Sequence, residues 1–179
     1  MRRLLFLMIT SFLTISLLVA CGNESKNEDI NQDEGDQLDL SVGDTGVFQS
    51  TWRTFELTVE TAEIVGTELD GEGSYLDELI VLDLTFKNIG DTEIRAEEIM
   101  HGMEMTDDLE EDSGYSNGAS IFASIDLFEG ELQPGEERAT QFIGYIKTAD
   151  EYFFRKNPGN VEAGTSNQVI WTIPDGEAR

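Results

Sequence analysis

Residues Leu79–Asn88 constrain this chain more than any other segment. Ile80, Leu82, Leu84 and Phe86 fall on one side of a two-residue period, with Asp83, Thr85 and Lys87 on the other side beyond Leu79 and Val81. A helical period would scatter those apolar residues, whereas an extended strand gathers them on one buried face. Asn88-Ile89-Gly90-Asp91 then supplies turn chemistry before a further extended segment, Thr92–Ala96. The same alternation marks Phe55, Leu57 and Val59 against Glu56, Thr58 and Glu60. His101, Met103 and Met105 alternate with Gly102 and Glu104 and lead into an acidic loop, Asp107–Gly114. Gln133-Pro134-Gly135-Glu136 is a second turn, in which proline presets φ and glycine accepts a positive one. Further strands are expected at Arg138–Lys147, Tyr152–Arg155 and Gln168–Ile173, the last ended by Pro174. Ala119–Phe128 is ambiguous, with Ile121, Ile125 and Phe128 on a helical face and Ile125 and Leu127 at strand spacing, and reads as a short helical turn or irregular connection. Short strands separated by turns, with no repeat of fixed period, predict an all-β antiparallel sandwich of two sheets over residues 40–179.

The N-terminus carries a different signal. Arg2 and Arg3 precede an apolar run from Leu4 to Ala20, and the first charge after them is Glu24. Basic start, short apolar stretch and small residue before a cut are the parts of a secretory signal. The run counts 17 residues, at the lower limit for spanning a bilayer as a plain anchor. The single cysteine of the chain decides between the two. Leu18-Val19-Ala20-Cys21 resembles the lipobox of bacterial lipoproteins, in which the thiol receives diacylglycerol and becomes the new N-terminus after cleavage. Ala20 and Cys21 are therefore the expected cleavage junction, and Cys21 the lipid-attachment site. Two acyl chains anchor stably where one binds only marginally. The chain is then extracytoplasmic, held to the bacterial cell membrane by its lipid.

Residues 21–39 hold seven acids, one base and only Ile30 and Leu38 as large apolar side chains. Such a segment buries too little to offset its ordering entropy and is expected to be a disordered acidic tether. A chain starting near Leu40 should then fold as well as one starting at Gly22. Residues 40–179 carry 30 acids against 8 bases, within a formal charge of −26 for the full chain. That balance excludes nucleic acid, since the surface repels phosphate and has no counterions to release. It suits either a solvated surface in saline or alkaline surroundings or a docking face for cationic partners.

The β-segments resemble the telokin-like, immunoglobulin-like domain of unknown function found in Gram-positive lipoproteins and related in fold to a secreted mycobacterial antigen. The residues carrying the resemblance are Leu40-Ser41-Val42-Gly43-Asp44-Thr45, the strand and turn Val81–Asp91, Asp112-Ser113-Gly114-Tyr115, and Gly130–Glu136 followed by Phe142, Gly144 and Ile146. The resemblance covers most of Leu40–Pro174 and implies an immunoglobulin-like sandwich on a lipid anchor, with a binding or structural role and no catalytic residues. The chain lacks the Cys…Trp…Cys core of antibody domains, so Trp52 and Trp171 are core or interface aromatics.

Three constellations could carry chemistry. Gly114-Tyr115-Ser116-Asn117-Gly118 matches the G-x-S-x-G spacing of a nucleophile elbow, but the only histidine, His101, precedes Ser116 instead of following it. Asp108, Glu110 and Asp112 have the first, third and fifth spacing of a calcium loop, yet Ser113 and Ala119 stand where glycine and a bidentate acid are required. A looser calcium site would draw on Asp107, Asp108, Glu110, Glu111 and Asp112. Met100, His101, Met103 and Met105 gather soft ligands suited to Cu(I), with His101, Met103 and Met105 on one strand face. The competing reading places Met103 and Met105 in the core, since thioethers fill irregular gaps. The sequence thus favours a non-catalytic binding or structural domain without a cofactor, with a protein or envelope partner; metal handling is the alternative. An exposed aromatic or apolar patch on a sheet face would mark the binding reading.

Overall fold

The computed structural model describes residues 35–158 and 167–179. The signal segment, the Ala20–Cys21 junction and most of the tether lie outside the described residues. The strands are β1 (Gln37–Leu40), β2 (Thr45–Gln49), β3 (Thr54–Gly66), β4 (Glu68–Leu69), β5 (Glu72–Gly73), β6 (Glu78–Asn88) and β7 (Ile94–Arg95). A short helix α1 (Ala96–Met100) follows, then β8 (Met103–Thr106), β9 (Tyr115–Ser116), β10 (Glu131–Leu132), β11 (Glu137–Ile146), β12 (Glu151–Lys156) and β13 (Val169–Pro174). Two larger sheets dominate, one of five strands in the order β1-β13-β12-β8-β9 and one of four in the order β11-β6-β3-β2. Every pairing in them is antiparallel except β1 with β13. The fold is all-β, as the alternation predicts.

One apolar cluster fills the space between these sheets. Leu57, Val59, Ile80, Leu82, Leu84, Phe86 and Phe142 enter from the four-stranded sheet, and Met103, Met105, Tyr152, Phe154 and Trp171 from the other. The sheets approach most closely where side chains vanish. A Cβ on Gly46 would fall 2.8 Å from the Trp171 ring, and one on Gly144 would fall 3.1 Å from the Cβ of Met105. Asn88 is fully buried, and its side-chain amide donates to the carbonyls of Thr92 and Leu132 while its Oδ1 accepts from the Gly90 N–H. The predicted turn is thereby tied to the second turn at Gln133–Glu136, where Asn88 N–H reaches the Glu136 carbonyl at 3.0 Å.

Leu79 and Val81 break the alternation of β6 for a structural reason. They face outward, where Leu79, Ile143 and Tyr145 form a second cluster under Ala119, Phe122 and Ile125, with Val81 packed against it. The ambiguous segment is therefore a lid of one 3-10 turn, Ala119–Ile121, followed by irregular chain on the outer sheet face.

Two expectations are corrected here. The tether assigned to residues 21–39 ends too late, because Gln37–Leu40 is an edge strand. Gln37 N–H donates to the Gln168 carbonyl, the Gln37 side chain brackets the backbone N–H and carbonyl of Val47, and Asp36 Oδ1 accepts from Gln168 N–H. Thr92–Ala96 is likewise only two residues of strand before the chain turns into α1. A chain starting at Leu40 forfeits the bonds of Asp36 and Gln37, each contributing about 1 kcal/mol net. It should melt roughly 5–10 °C below one starting at Gly35, measured by thermal denaturation; equal melting points would show that β1 adds nothing.

Candidate functional site

The proposed copper ligands do not converge. Met103 and Met105 lie 1% and 0% exposed in the inter-sheet core, and Met100 is buried at the end of α1. His101 caps that helix and is exposed, so it shares no strand face with the methionines. The error lies in the period: His101 belongs to the helical turn before β8, and alternation starts only at Met103. The elbow spacing also fails in three dimensions, since Tyr115–Ser116 is an edge strand of an antiparallel pair.

The acidic loop is organised by a cation from the protein itself. Glu104, 2% exposed, sits on β8 opposite Arg155 of β12, and its Oε1 accepts from Arg155 Nε at 2.8 Å. The rest of the guanidinium donates to the carbonyls of Leu109 at 3.2 Å and Glu111 at 2.8 Å. Glu104 Oε2 accepts from the Gly114 N–H at 2.8 Å and from the Asn157 side-chain amide. The loop carbonyls that a calcium site would turn inward are thus directed at Arg155, while Asp108 Oδ1 is turned to the Glu110 N–H. Asp107, Asp108, Glu110, Glu111 and Asp112 stay on the solvent side, and among the described residues no three carboxylate, imidazole or thiol groups form a metal cage. Sequence reasoning missed this pair. Glu104, on the face of β8 opposite to Met103 and Met105, carries no sequence mark of its burial.

What remains is an aromatic cluster in which Tyr75 is exposed, Tyr115 half-buried and Tyr145 buried. Tyr75, 66% exposed, comes from the loop between β5 and β6 and lies over Tyr145 of β11 with ring centroids 4.0 Å apart. Tyr115 of β9 meets Tyr75 edge-on at 6.4 Å, and Phe122 from the outer lid lies 6.4 Å from Tyr145. The bond from Gly118 N–H to the Ile143 carbonyl and the Asn117 Oδ1 contact to Ile143 N–H fasten this β9 edge to β11. Lys147 places its ammonium 5.9 Å above the Tyr115 ring. Its hydrogen bond with Tyr115, then the charges of Tyr115, Asp107 and Glu111, hold Lys147 above the usual lysine range. Partial burial, then Tyr145 and Tyr115, raises Tyr75 above the usual phenol range. The three tyrosines come from three distant segments, so no local motif announces them.

A second apolar surface lies beside the β2–β3 turn. Phe48, Phe55, Ile99 and Met103 floor a cleft rimmed by Ser50, Arg53 and Glu98. Its enclosed space is about 20 Å³, room for one water molecule, which excludes a small-molecule site. Arg53 pairs with Glu98 across the rim.

No family model and no curated protein matches this chain. Solved structures are similar in fold. A candidate lipoprotein, ycdA, from Bacillus subtilis aligns at a TM-score of 0.54 and 10% identity, over 74% of this chain and 40% of that one. The yjhA protein from Bacillus subtilis aligns at 0.51 and 14% identity, over 76% of this chain and 99% of that one. The chain therefore matches less than half of the ycdA structure, and at these identities the likeness is one of fold. The motif resemblance to the telokin-like family reaches, by these findings, an all-β fold shared with a candidate lipoprotein.

Removing one member of a buried ion pair leaves the other charge uncompensated. Arg155→Met should cost about 3–5 kcal/mol in chemical denaturation, and Arg155→Met combined with Glu104→Gln distinctly less than the sum; additive losses would mean that the two groups do not act together. Met103→Ala should cost about 2–5 kcal/mol through the cavity it leaves, and Cu(I) should not move the melting point of the native domain. A copper-dependent rise together with an unchanged Met103→Ala melt would restore the metal reading.

Proposed function

We propose that this protein is a cell-surface lipoprotein, anchored through Cys21 to the outer face of the bacterial cell membrane, whose immunoglobulin-like β-sandwich acts by binding and not by catalysis. The observation that carries the binding reading is the Tyr75–Tyr145–Tyr115 surface. Exposed aromatics in mutual contact lose little conformational entropy on binding and supply large apolar area with polar hydroxyl edges. An isolated exposed tyrosine would carry no such weight, but Tyr75 is held against the half-buried Tyr115 and the buried Tyr145, which makes it a pre-ordered contact. Anchoring is supported by the lipobox-like Leu18–Cys21 and by the fold shared with a candidate lipoprotein. The partner is a protein or another envelope component; acidic side chains around Lys147 favour one that presents cations.

The test uses the full chain expressed in a Gram-positive bacterium with labelled fatty acid. Cys21→Ala should lose the label and keep its signal segment uncleaved, whereas undiminished labelling would refute the anchor. Tyr75→Ala, placed where the ring is exposed, should leave the melting point nearly unchanged and lower co-sedimentation of the purified protein with isolated cell envelopes by about tenfold. Envelope binding equal to that of the native protein would refute the tyrosine face as the binding surface.

A further inference from the structure

We propose that the end of the domain bearing Trp52 docks onto the lipid surface of the anchoring membrane, so that the tyrosine face at the opposite end is presented away from it. This rests on the lipoprotein reading above and adds an orientation and a second lipid contact to it.

Trp52 is the exposed one of the two tryptophans, at 66% against 0% for Trp171. It does not sit on a loose loop. Ser50 N–H donates to the Arg53 carbonyl at 2.9 Å, and Ser50 Oγ accepts from the N–H groups of Trp52 and Arg53. This closed turn between β2 and β3 holds the indole outward, with no apolar partner described for it. An amphipathic indole held out in this way is the side chain best suited to the headgroup layer of a bilayer.

The chain enters the domain at that same end. Asn167 links the two points directly: its Nδ2 donates to the carbonyls of Gly35 and Val47, and its Oδ1 accepts from Gln49 N–H, the last residue before the turn. Thirteen residues lie between Cys21 and Gly35, a reach of at most about 50 Å. The domain itself extends along β6, 11 residues long, by roughly 37 Å. Trp52 meets the surface with the spacer slack, whereas the far end meets it only when the spacer spans most of its reach. Confinement by the anchor raises the local concentration of this turn at the bilayer, so even a weak interfacial preference populates the docked state.

Charge orients the domain in the same sense. Arg53, Lys87, Arg95, Arg138, Arg155 and Lys156 lie toward the Trp52 end, as the register of β3, β6, β11 and β12 requires, where Glu98, Glu56, Glu136 and Glu104 pair with the first five. Lys147 and Arg179 are the bases of the far end, which carries Glu68, Asp70, Glu72, Asp77, Asp150 and Asp175. An anionic bilayer repels the second end more strongly than the first.

The test takes the full chain, purified in detergent from the membranes of an expressing bacterium and reconstituted into vesicles of phosphatidylcholine and phosphatidylglycerol. Flotation reads anchoring; quenching by lipids brominated on their acyl chains reads docking. Docking requires roughly a twofold loss of the emission that distinguishes the native protein from Trp52→Phe, with the residual Trp171 emission of Trp52→Phe unaffected. Protein that floats without quenching of Trp52 overturns docking and leaves the anchor standing. Equal quenching of native protein and Trp52→Phe assigns the signal to Trp171 and also overturns it. Protein that is absent from the membranes and does not float overturns the anchor and the docking together.

Discussion

The fold depends on a chain of aromatic contacts that crosses between the two sheets. Phe55 stacks on Phe48 within the four-stranded sheet at 4.9 Å, Phe48 meets Trp171 of the facing sheet at 6.0 Å, Trp171 meets Phe154 at 5.9 Å, and Phe154 returns to Phe142 at 4.9 Å. Such offset and edge-on pairs add to the area they bury. The indole N–H of Trp171 is satisfied by the Asp44 carbonyl at 3.0 Å, so the largest side chain of the core carries no polar debt. Gly46 leaves the room the indole occupies, which explains a glycine inside β2 where strand propensity disfavours one. The parallel edge strand β1 is a consequence of the same arrangement, because Leu40 comes to lie beside Trp171 in register.

A chain with so many acids must keep them out of that core, and it does so by placing them on the outward positions of each strand and at the ends of the sheets. Glu104, on the outward face of β8, is buried all the same, beneath the acidic loop. Its burial is tolerated because one guanidinium and two N–H groups meet both carboxylate oxygens, and no buried side-chain polar atom among the described residues lacks a partner. Breaking up that set is costly, while its presence adds little stability beyond a well-packed apolar alternative. What it supplies is position. It turns the Leu109 and Glu111 carbonyls inward and fixes the acidic loop beside the β9 edge, from which Tyr115 projects.

Features set by neighbouring residues were legible in the sequence, and features set by distant ones were not. The two-residue period located β3, β6, β11, β12 and β13, and the turn residues Asn88 and Pro134 marked where chains reverse. The outward Leu79 and Val81 stood in the sequence only as a break in the alternation, because the residues that cover them, Ala119, Phe122 and Ile125, come from a distant segment. By contrast, β1 has the composition of a spacer and becomes a strand only through Val169 and Trp171, over a hundred residues away. His101 looked like a strand residue because alternation at Met103 and Met105 extrapolates back to it, while the buried Ile99 and Met100 draw the preceding turn into a helix. The Glu104–Arg155 pair spans 51 residues and the tyrosine face unites three segments, so neither leaves a motif.

The two ends of the domain therefore differ in chemistry for reasons that trace back to strand direction. Both β1 and β13 run away from the end where the chain enters, and β2 returns to it, which sets Trp52, Asn167 and most bases on one side. Strands β6 and β12 begin at the other, where Tyr75, Lys147 and the densest carboxylates collect. Under the proposed binding role such a domain needs no enclosed pocket, only a face that can be approached and an orientation that presents it. The cleft beside Trp52 holds no more than about one water molecule. The core between the sheets holds these two chemically different ends apart.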